Sequence, residues 1–326
     1  MVNTRQQTPV DARQEENEKA LDGSRLSFVG CGVMAEAMIA GLLRRKLVTP
    51  GQIRGSHPRA ARREELEEKY GIRVVESNRE AAIFSEAGRG TTARGGGRMR
   101  KGAVHKGDGR KGVGPKGETA RSIVVLAVKP QRLGGVLDEL KGALDEGQLV
   151  VSIIAGATTG AIASGLLHSS VVRAMPNTPA QIGEGMTAWT ATPEVSDAQL
   201  AGARAMFGAL GREMHVENER MIDMATALSA TGPTYIFMMM EALVDAGVHM
   251  GFSRHVAQEL VTQTMLGSVL FARESKKHPA ELRNMVTSPG GTSAEAIYQM
   301  EKGGLRTVLS KAVYAAYQRA VSLGRK

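Results

Sequence analysis

The stretch from Leu26 to Gly41, LSFVGCGVMAEAMIAG, constrains this chain more than any other. A short apolar run breaks into closely spaced glycines and then resumes with helical periodicity, which spells strand, tight turn, helix. Gly30, Gly32 and Ala35 fill the three small-residue positions of a dinucleotide-binding fingerprint. The last of these can be alanine because it only lets helix and strand pack closely. Gly30 permits the turn, and Gly32 leaves the backbone open to a pyrophosphate. The N–H groups that begin the helix, at Val33 and Met34 beyond Cys31, face that anion. The pattern alone carries little weight in a chain with 39 glycines. Its context carries more: β-type residues precede it, and Met34, Met38 and Leu42 follow on one helical face.

Length and composition bound the class. The 326 residues leave room for two domains, and 42% hydrophobic with 23% charged residues describes a globular protein. The first 24 residues lack the apolar core of a signal peptide, and no apolar run reaches the roughly 18 residues of a membrane span. Cys31 is the only cysteine, which fits a reducing compartment and a cytoplasmic location. It lies inside the glycine turn as a small residue beside a ligand rather than as a catalytic thiol. The seven histidines include no pair spaced as in a helical metal site, so no metal is expected.

The net charge of +9 is unevenly spread. Between Gly88 and Gly117 stand nine Lys or Arg against one acid, Asp108, so that segment holds +8 of it. The same segment has eleven glycines and no aromatic residue. Such a composition cannot offset its ordering entropy and reads as a flexible loop insertion. Without aromatic residues it offers no stacking platform, and nucleic acid is not the expected partner.

Residues 1–24 read as a disordered tail, 25–190 as the nucleotide-binding domain carrying the insertion 88–117, and 191–326 as a helical domain for dimerisation and substrate. After the glycine turn, Ile53 to Ser56 forms a second strand and Pro58 to Lys69 a charged helix. An NAD-binding unit usually ends this strand in a carboxylate for the ribose 2'-hydroxyl. Here the corner reads Ser56, His57, Pro58, Arg59, with Arg62 and Arg63 behind. Guanidiniums without a carboxylate suit a 2'-phosphate, so NADPH is expected, with NADH possible.

A third strand over Arg73 to Val75 and a helix from Ser77 to Ser85 follow. Order resumes at Ile123 with an apolar strand running out through Ala127, Val128, Lys129 and Pro130. Next come a helix over Gln131 to Leu144, the strand-like run 149–156 ending in Ala155 and Gly156, a helix over Thr158 to Leu166, and the run 171–179. The last reaches Met175, Pro176, Asn177 and Thr178. This alternation implies a doubly wound parallel sheet whose ligands bind beyond the carboxyl ends of the strands, where these residues fall.

From Ser196 onward helices dominate, with one strand at Glu213 to Val216. Thr234 to Met250 is apolar nearly all round, including Met238, Met239 and Met240, and such a helix is buried in a core or a subunit interface. Helices over Pro279 to Met285 and Ala294 to Lys302 flank Val286 to Ser293, VTSPGGTS. Glycines, hydroxyls and a helix start can cradle a small carboxylate; a capped helix after a Pro-Gly turn has the same sequence.

Taken together, VGCGVMAEAMIAGL (29–42), LAVKPQ (126–131), SIIAG (152–156), VVRAMPNTPA (171–180), GEGMTA (183–188), TGPTYIF (231–237) and VTSPGGTSAEAI (286–297) resemble the pyrroline-5-carboxylate reductases. The resemblance covers nearly all of residues 25–324. It implies an α/β Rossmann dinucleotide-binding domain followed by an all-α C-terminal dimerisation and substrate domain of the 6-phosphogluconate dehydrogenase C-terminal type, intertwined with that of a second copy. It implies reduction of a cyclic imine to proline. Ser288, Gly290 and Gly291 would hold the substrate carboxylate, Thr292 would also bind substrate, Ser293 would bond the imine nitrogen, and Lys129 would assist electrostatically or contact the cofactor. Ser293 stands where the family generally has threonine, and Ala230-Thr231-Gly232-Pro233-Thr234 where it commonly reads GSGPA. Two other readings fit the same motifs less fully: a related NADP-dependent imine or 3-hydroxyacid reductase, and a non-catalytic nucleotide-binding regulator.

Overall fold

The computed structural model describes residues 19–83 and 122–324. The basic insertion at 88–117 and the first 18 residues of the tail lie outside the described residues. Strand β1 (Arg25–Val29) leads through the glycine turn into α1 (Val33–Arg44), followed by β2 (Ile53–Ser56), α2 (Ala60–Tyr70), β3 (Arg73–Val75) and α3 (Asn78–Ala82). Then come β4 (Ser122–Leu126), α4 (Leu133–Leu140), β5 (Leu149–Ser152), α5 (Thr159–Leu166) and β6 (Val171–Met175). These six strands lie parallel in the order β3-β2-β1-β4-β5-β6, the doubly wound arrangement in which the strand order reverses between β1 and β4.

Strand side chains alternate between the two faces. Leu26, Phe28, Ile123 and Val125 join one apolar cluster with Met38, Ile39 and Leu42 of α1. Val29, Val124 and Leu126 face the opposite cluster with Val136 and Leu140 of α4 and Ile162 and Leu166 of α5. Both faces being covered explains why these strands read as continuous apolar runs. Each fully buried side chain such as Phe28 contributes about 2 kcal/mol relative to exposure.

The sheet does not stop near residue 190. Two further strands, β7 (Gly185–Ala191) and β8 (Gly211–His215), extend it on either side of α6 (Asp197–Gly208). β7 runs antiparallel to β6, and β8 parallel to β7. Gly211 makes this join possible: at φ +139, a Cβ there would sit 2.2 Å from the Gly185 carbonyl oxygen. The strand expected at Glu213 to Val216 therefore belongs to the sheet, not to the helical region. The tail also differs from expectation at its end. Lys19 to Leu21 form part of a helix, and Leu21 is fully buried beside Gly202 of α6, because an apolar side chain next to the sheet finds cover there.

The rest is helical: α7 (Glu219–Ala225), a π-helical turn (Thr226–Ala230), α8 (Gly232–His249), α9 (Arg254–Ser275), α10 (Pro279–Met285), α11 (Thr292–Lys302) and α12 (Leu305–Leu323). Polar links fasten it to the sheet half. Arg173 of β6, 1% exposed, pairs with Asp223 at 2.6 Å and Glu219 at 3.4 Å on α7. Asn177 Nδ2 reaches the Ser229 carbonyl at 3.4 Å, while its Oδ1 accepts from the Met186 amide. Met175, Ala188, Val216 and Ile222 fill the joint between them. Beyond this joint apolar side chains face outward, including Phe237 (60% exposed), Met238 (65%) and Val269 (65%). Among the described residues, no helix is long and apolar enough to cross a membrane.

Candidate active site

The carboxyl ends of β1, β2, β4, β5 and β6 gather the residues singled out for a cofactor. Gly30 adopts φ +90 and leaves no room for a side chain, since a Cβ would lie 2.7 Å from Val128 Cγ1. Its neighbour differs: a Cβ on Gly32 would meet nothing within 4 Å. No side chain caps α1, so the amides of Val33, Met34 and Ala35 lack an internal acceptor. An open glycine before an uncapped helix start fits the pyrophosphate of a dinucleotide. Ala35 is fully buried against the strand, as the fingerprint requires.

Cys31 is fully buried, and its thiol lies where a Cβ on Gly55 would come within 2.4 Å. Burial pushes its pKa up to about 12, so no thiolate forms near neutral pH. Glu36, in the first turn of α1, is answered by three donors: Arg62, Lys69 at 2.8 Å and Tyr70 at 2.8 Å. Burial alone would raise its carboxyl, but these bonds outweigh it and hold the pKa at about 2.

At the β2 corner the three arginines separate. Arg62 is bound to Glu36 and Glu65, and Arg63 to the His57 and Pro58 carbonyls at 3.0 Å and to Glu76. Among the described residues nothing engages the guanidinium of Arg59, which is exposed; only its amide is used, donating to His57 Nδ1 at 3.2 Å. Burial, aided by the neighbouring guanidiniums, pushes the His57 imidazole below its ordinary pKa. Ser56 sits at the expected corner, yet its hydroxyl points inward: it accepts from the Gly30 amide at 3.2 Å and donates to Asn78 at 2.8 Å. Arg59, not Ser56, is the open donor there.

Ala127 and Val128 line the glycine turn, and Lys129 stands exposed beyond them with Pro130 starting a short 3-10 turn. Ala155 is half-buried. Gly156, at φ +78, is covered by the end of α12, where a Cβ would lie 2.7 Å from the Leu323 carbonyl carbon. Met175 is packed into the joint, Pro176 is buried, Asn177 is bonded as described, and Thr178 is exposed.

The second candidate site lies between α10 and α11. Gly290 turns the chain at φ +67, and Gly291 is needed because a Cβ there would come within 2.5 Å of Ser288 Oγ. No side chain caps α11, leaving the Thr292 and Ser293 amides beside the exposed Ser288 hydroxyl for an outside acceptor. Ser293 is half-buried. No hydrogen bond or ion pair among the described residues joins this loop to the sheet edge. Sequence reading missed Asn78, Glu139 and Arg173, whose bonds span 22, 61 and 50 positions and leave no local pattern.

A doubly wound sheet with an open glycine turn, joined to a helical region with a second uncapped, glycine-led helix start, is the architecture of a dinucleotide-dependent oxidoreductase. The profile for pyrroline-5-carboxylate reductase dimerisation matches residues 219–323, and that for NADP oxidoreductases, coenzyme F420-dependent, matches residues 25–87. A pyrroline-5-carboxylate reductase of Synechocystis is 39% identical over 302 residues, spanning 93% of this chain and 99% of that protein. The Escherichia coli reductase is 32% identical over 92% of this chain and 98% of its own. The reductase structure from Coxiella burnetii superposes with a TM-score of 0.75 at 32% identity, covering 93% of this chain and all of that one. The Plasmodium falciparum structure, with NADP bound, gives 0.74 at 27% identity over 92% of this chain and 98% of that one. This chain belongs to the pyrroline-5-carboxylate reductase family, and it is an NAD(P)H-dependent oxidoreductase.

Proposed function

We propose that the protein reduces 1-pyrroline-5-carboxylate to L-proline, the last step of proline biosynthesis, in the cytoplasm and with NADPH preferred. The observation that carries this is the pair of uncapped, glycine-led helix starts, one at the sheet edge and one between α10 and α11. The first suits a pyrophosphate and the second a carboxylate. The Arg59 guanidinium, unengaged among the described residues, supports the preference for a 2'-phosphate.

Ser288, Gly290, Gly291 and Thr292 hold the substrate carboxylate, and Ser293 bonds the ring nitrogen. When bound at the sheet edge, NADPH supplies the hydride. A cyclic imine is protonated readily near neutral pH, so its carbon is already electrophilic and the protein's task is chiefly positioning. Lys129 adds positive charge at the mouth of the cofactor site, and Pro176 to Thr178 border the nicotinamide. The outward apolar face of α8 and α9 supports a homodimer built from the helical region, in which the cradle of one copy meets a sheet edge.

NADPH oxidation with pyrroline-5-carboxylate, NADH in parallel, tests the reading. Turnover faster with NADPH is expected, and Ser293→Ala is expected to lower kcat/KM by about tenfold, the worth of one hydrogen bond made in the transition state. Nucleotide binding without turnover would overturn the reaction, and unchanged kinetics in Ser293→Ala would remove the serine from it.

A further inference from the structure

The inward turn of Ser56 is the first link of a longer chain of bonds. Its hydroxyl accepts from the Gly30 amide at 3.2 Å and donates to Asn78 Oδ1 at 2.8 Å. Asn78 begins α3, and its Nδ2 donates to Glu139 Oε2 on α4 at 2.7 Å. The other carboxylate oxygen of Glu139 takes the Arg79 amide at 3.1 Å.

Each link fixes the direction of the next. A carboxylate accepts only, so Glu139 draws the amide nitrogen of Asn78 toward itself and leaves the amide oxygen facing Ser56. That oxygen accepts the hydrogen bond of the Ser56 hydroxyl, which turns a lone pair of the hydroxyl to the Gly30 N–H. Gly30 is the residue at φ +90 from which the open Gly32 and the uncapped amides of α1 take their direction.

We infer that Glu139 is a positioning residue for NAD(P)H: it acts through Asn78 and Ser56 on the first glycine of the turn and touches neither cofactor nor substrate. The inference rests on the glycine turn being the nucleotide site. Without Glu139 the Asn78 amide is free to rotate, Ser56 loses its fixed acceptor, and the Gly30 peptide loses its orientation.

The test compares E139A, E139Q, S56A, the double variant S56A/E139A and a control, G32V. NADPH Kd is measured by calorimetry, kcat and KM for NADPH by steady-state kinetics, and the melting temperature without nucleotide. E139Q keeps an acceptor for Asn78 but presents its amide nitrogen to the Arg79 N–H, so it preserves the relay while losing the tie to Arg79. E139A loses both. The expected result is that E139A raises Kd and KM for NADPH about five- to tenfold, one hydrogen bond's worth, with kcat within about twofold. E139Q restores nucleotide affinity even where its melting temperature falls as in E139A. The double variant binds no more weakly than the weaker single one, because both interrupt one path.

Should E139A melt earlier yet bind NADPH as the wild type does, Glu139 only fastens α3 to α4 and the inference fails. Additive losses in the double variant would also overturn it. If E139A does not fold, E139Q and S56A decide: weak binding in S56A with normal binding in E139Q supports the relay, and normal binding in both removes it. G32V separates the two levels. Its failure to bind with intact binding in E139A sinks the relay alone, whereas normal binding in G32V sinks the glycine-turn reading beneath it.

Discussion

The sheet half and the helical half of this chain hide apolar surface by different means. Around the sheet, strands and helices bury one another within a single chain, down to Trp189, Phe28 and Phe207 at 0% exposure. In α8 and α9 only Val244, Gly247 and Ala257 are buried, while Phe237, Met238, Leu260 and Val269 look outward. The cofactor site proposed at five strand ends thus sits on a self-contained scaffold. The glycine-led start of α11 sits among helices whose outward apolar side chains find no cover among the described residues. Binding of nucleotide and turnover of substrate should therefore fail separately.

The largest effect expected follows from charging the outward face. Met238→Glu combined with Val269→Glu places two carboxylates on an apolar surface; sedimentation should show dissociation to monomer, with turnover falling at least about a hundredfold. NADPH binding should stay within about twofold, and a matching loss of NADPH affinity would break the comparison. The converse variant is Gly30→Ala. Strain at φ +90 and the clash with Val128 cost about 3 kcal/mol, so NADPH affinity should fall about a hundredfold by calorimetry while the oligomer remains.

Between the halves stands Arg173. Arg173→Met leaves Asp223 and Glu219 without their buried partner and should cost about 3 kcal/mol in urea denaturation. If the sheet and the helices are coupled mainly through this pair, the variant should unfold in two steps where the parent unfolds in one.

The smallest effect concerns acid. Glu36 ties α1 to α2 with a carboxyl held at about 2 against an ordinary 4.5. Its contribution is full above about pH 4.5 and is lost as pH falls through about 2. Wild type and Glu36→Gln should therefore differ in stability at about pH 5 and converge as pH approaches 2, while activity at neutral pH changes little.

Legibility in the sequence followed the locality of the cause. β1, β4 and β5 were readable because burial on both faces makes them unbroken apolar runs, and the glycine turn because its residues are neighbours. The uncapped start at Gly291 could be read as one of two alternatives from SPGG alone. β7 was not read as a strand: Gly185–Ala191 needs the close approach of Gly211 and pairing with β6 to take that form. Leu21 looked like part of a polar tail because its cover comes from α6. The inward turn of Ser56 depends on Asn78 and Glu139, and the freedom of Arg59 on Glu36, Glu65 and Glu76 occupying its two neighbours. Apart from Arg62–Glu65, three positions apart on α2, none of these pairings leaves a trace in spacing.

Cys31 gives the sheet half an internal clock. It is the chain's only thiol and is shut beneath the glycine turn against β2. An alkylating reagent can reach it only when those strands part, so the rate at which the folded protein is labelled counts openings of that half alone. Labelling slowed by NADPH would measure, in time rather than affinity, how firmly the nucleotide clamps the turn.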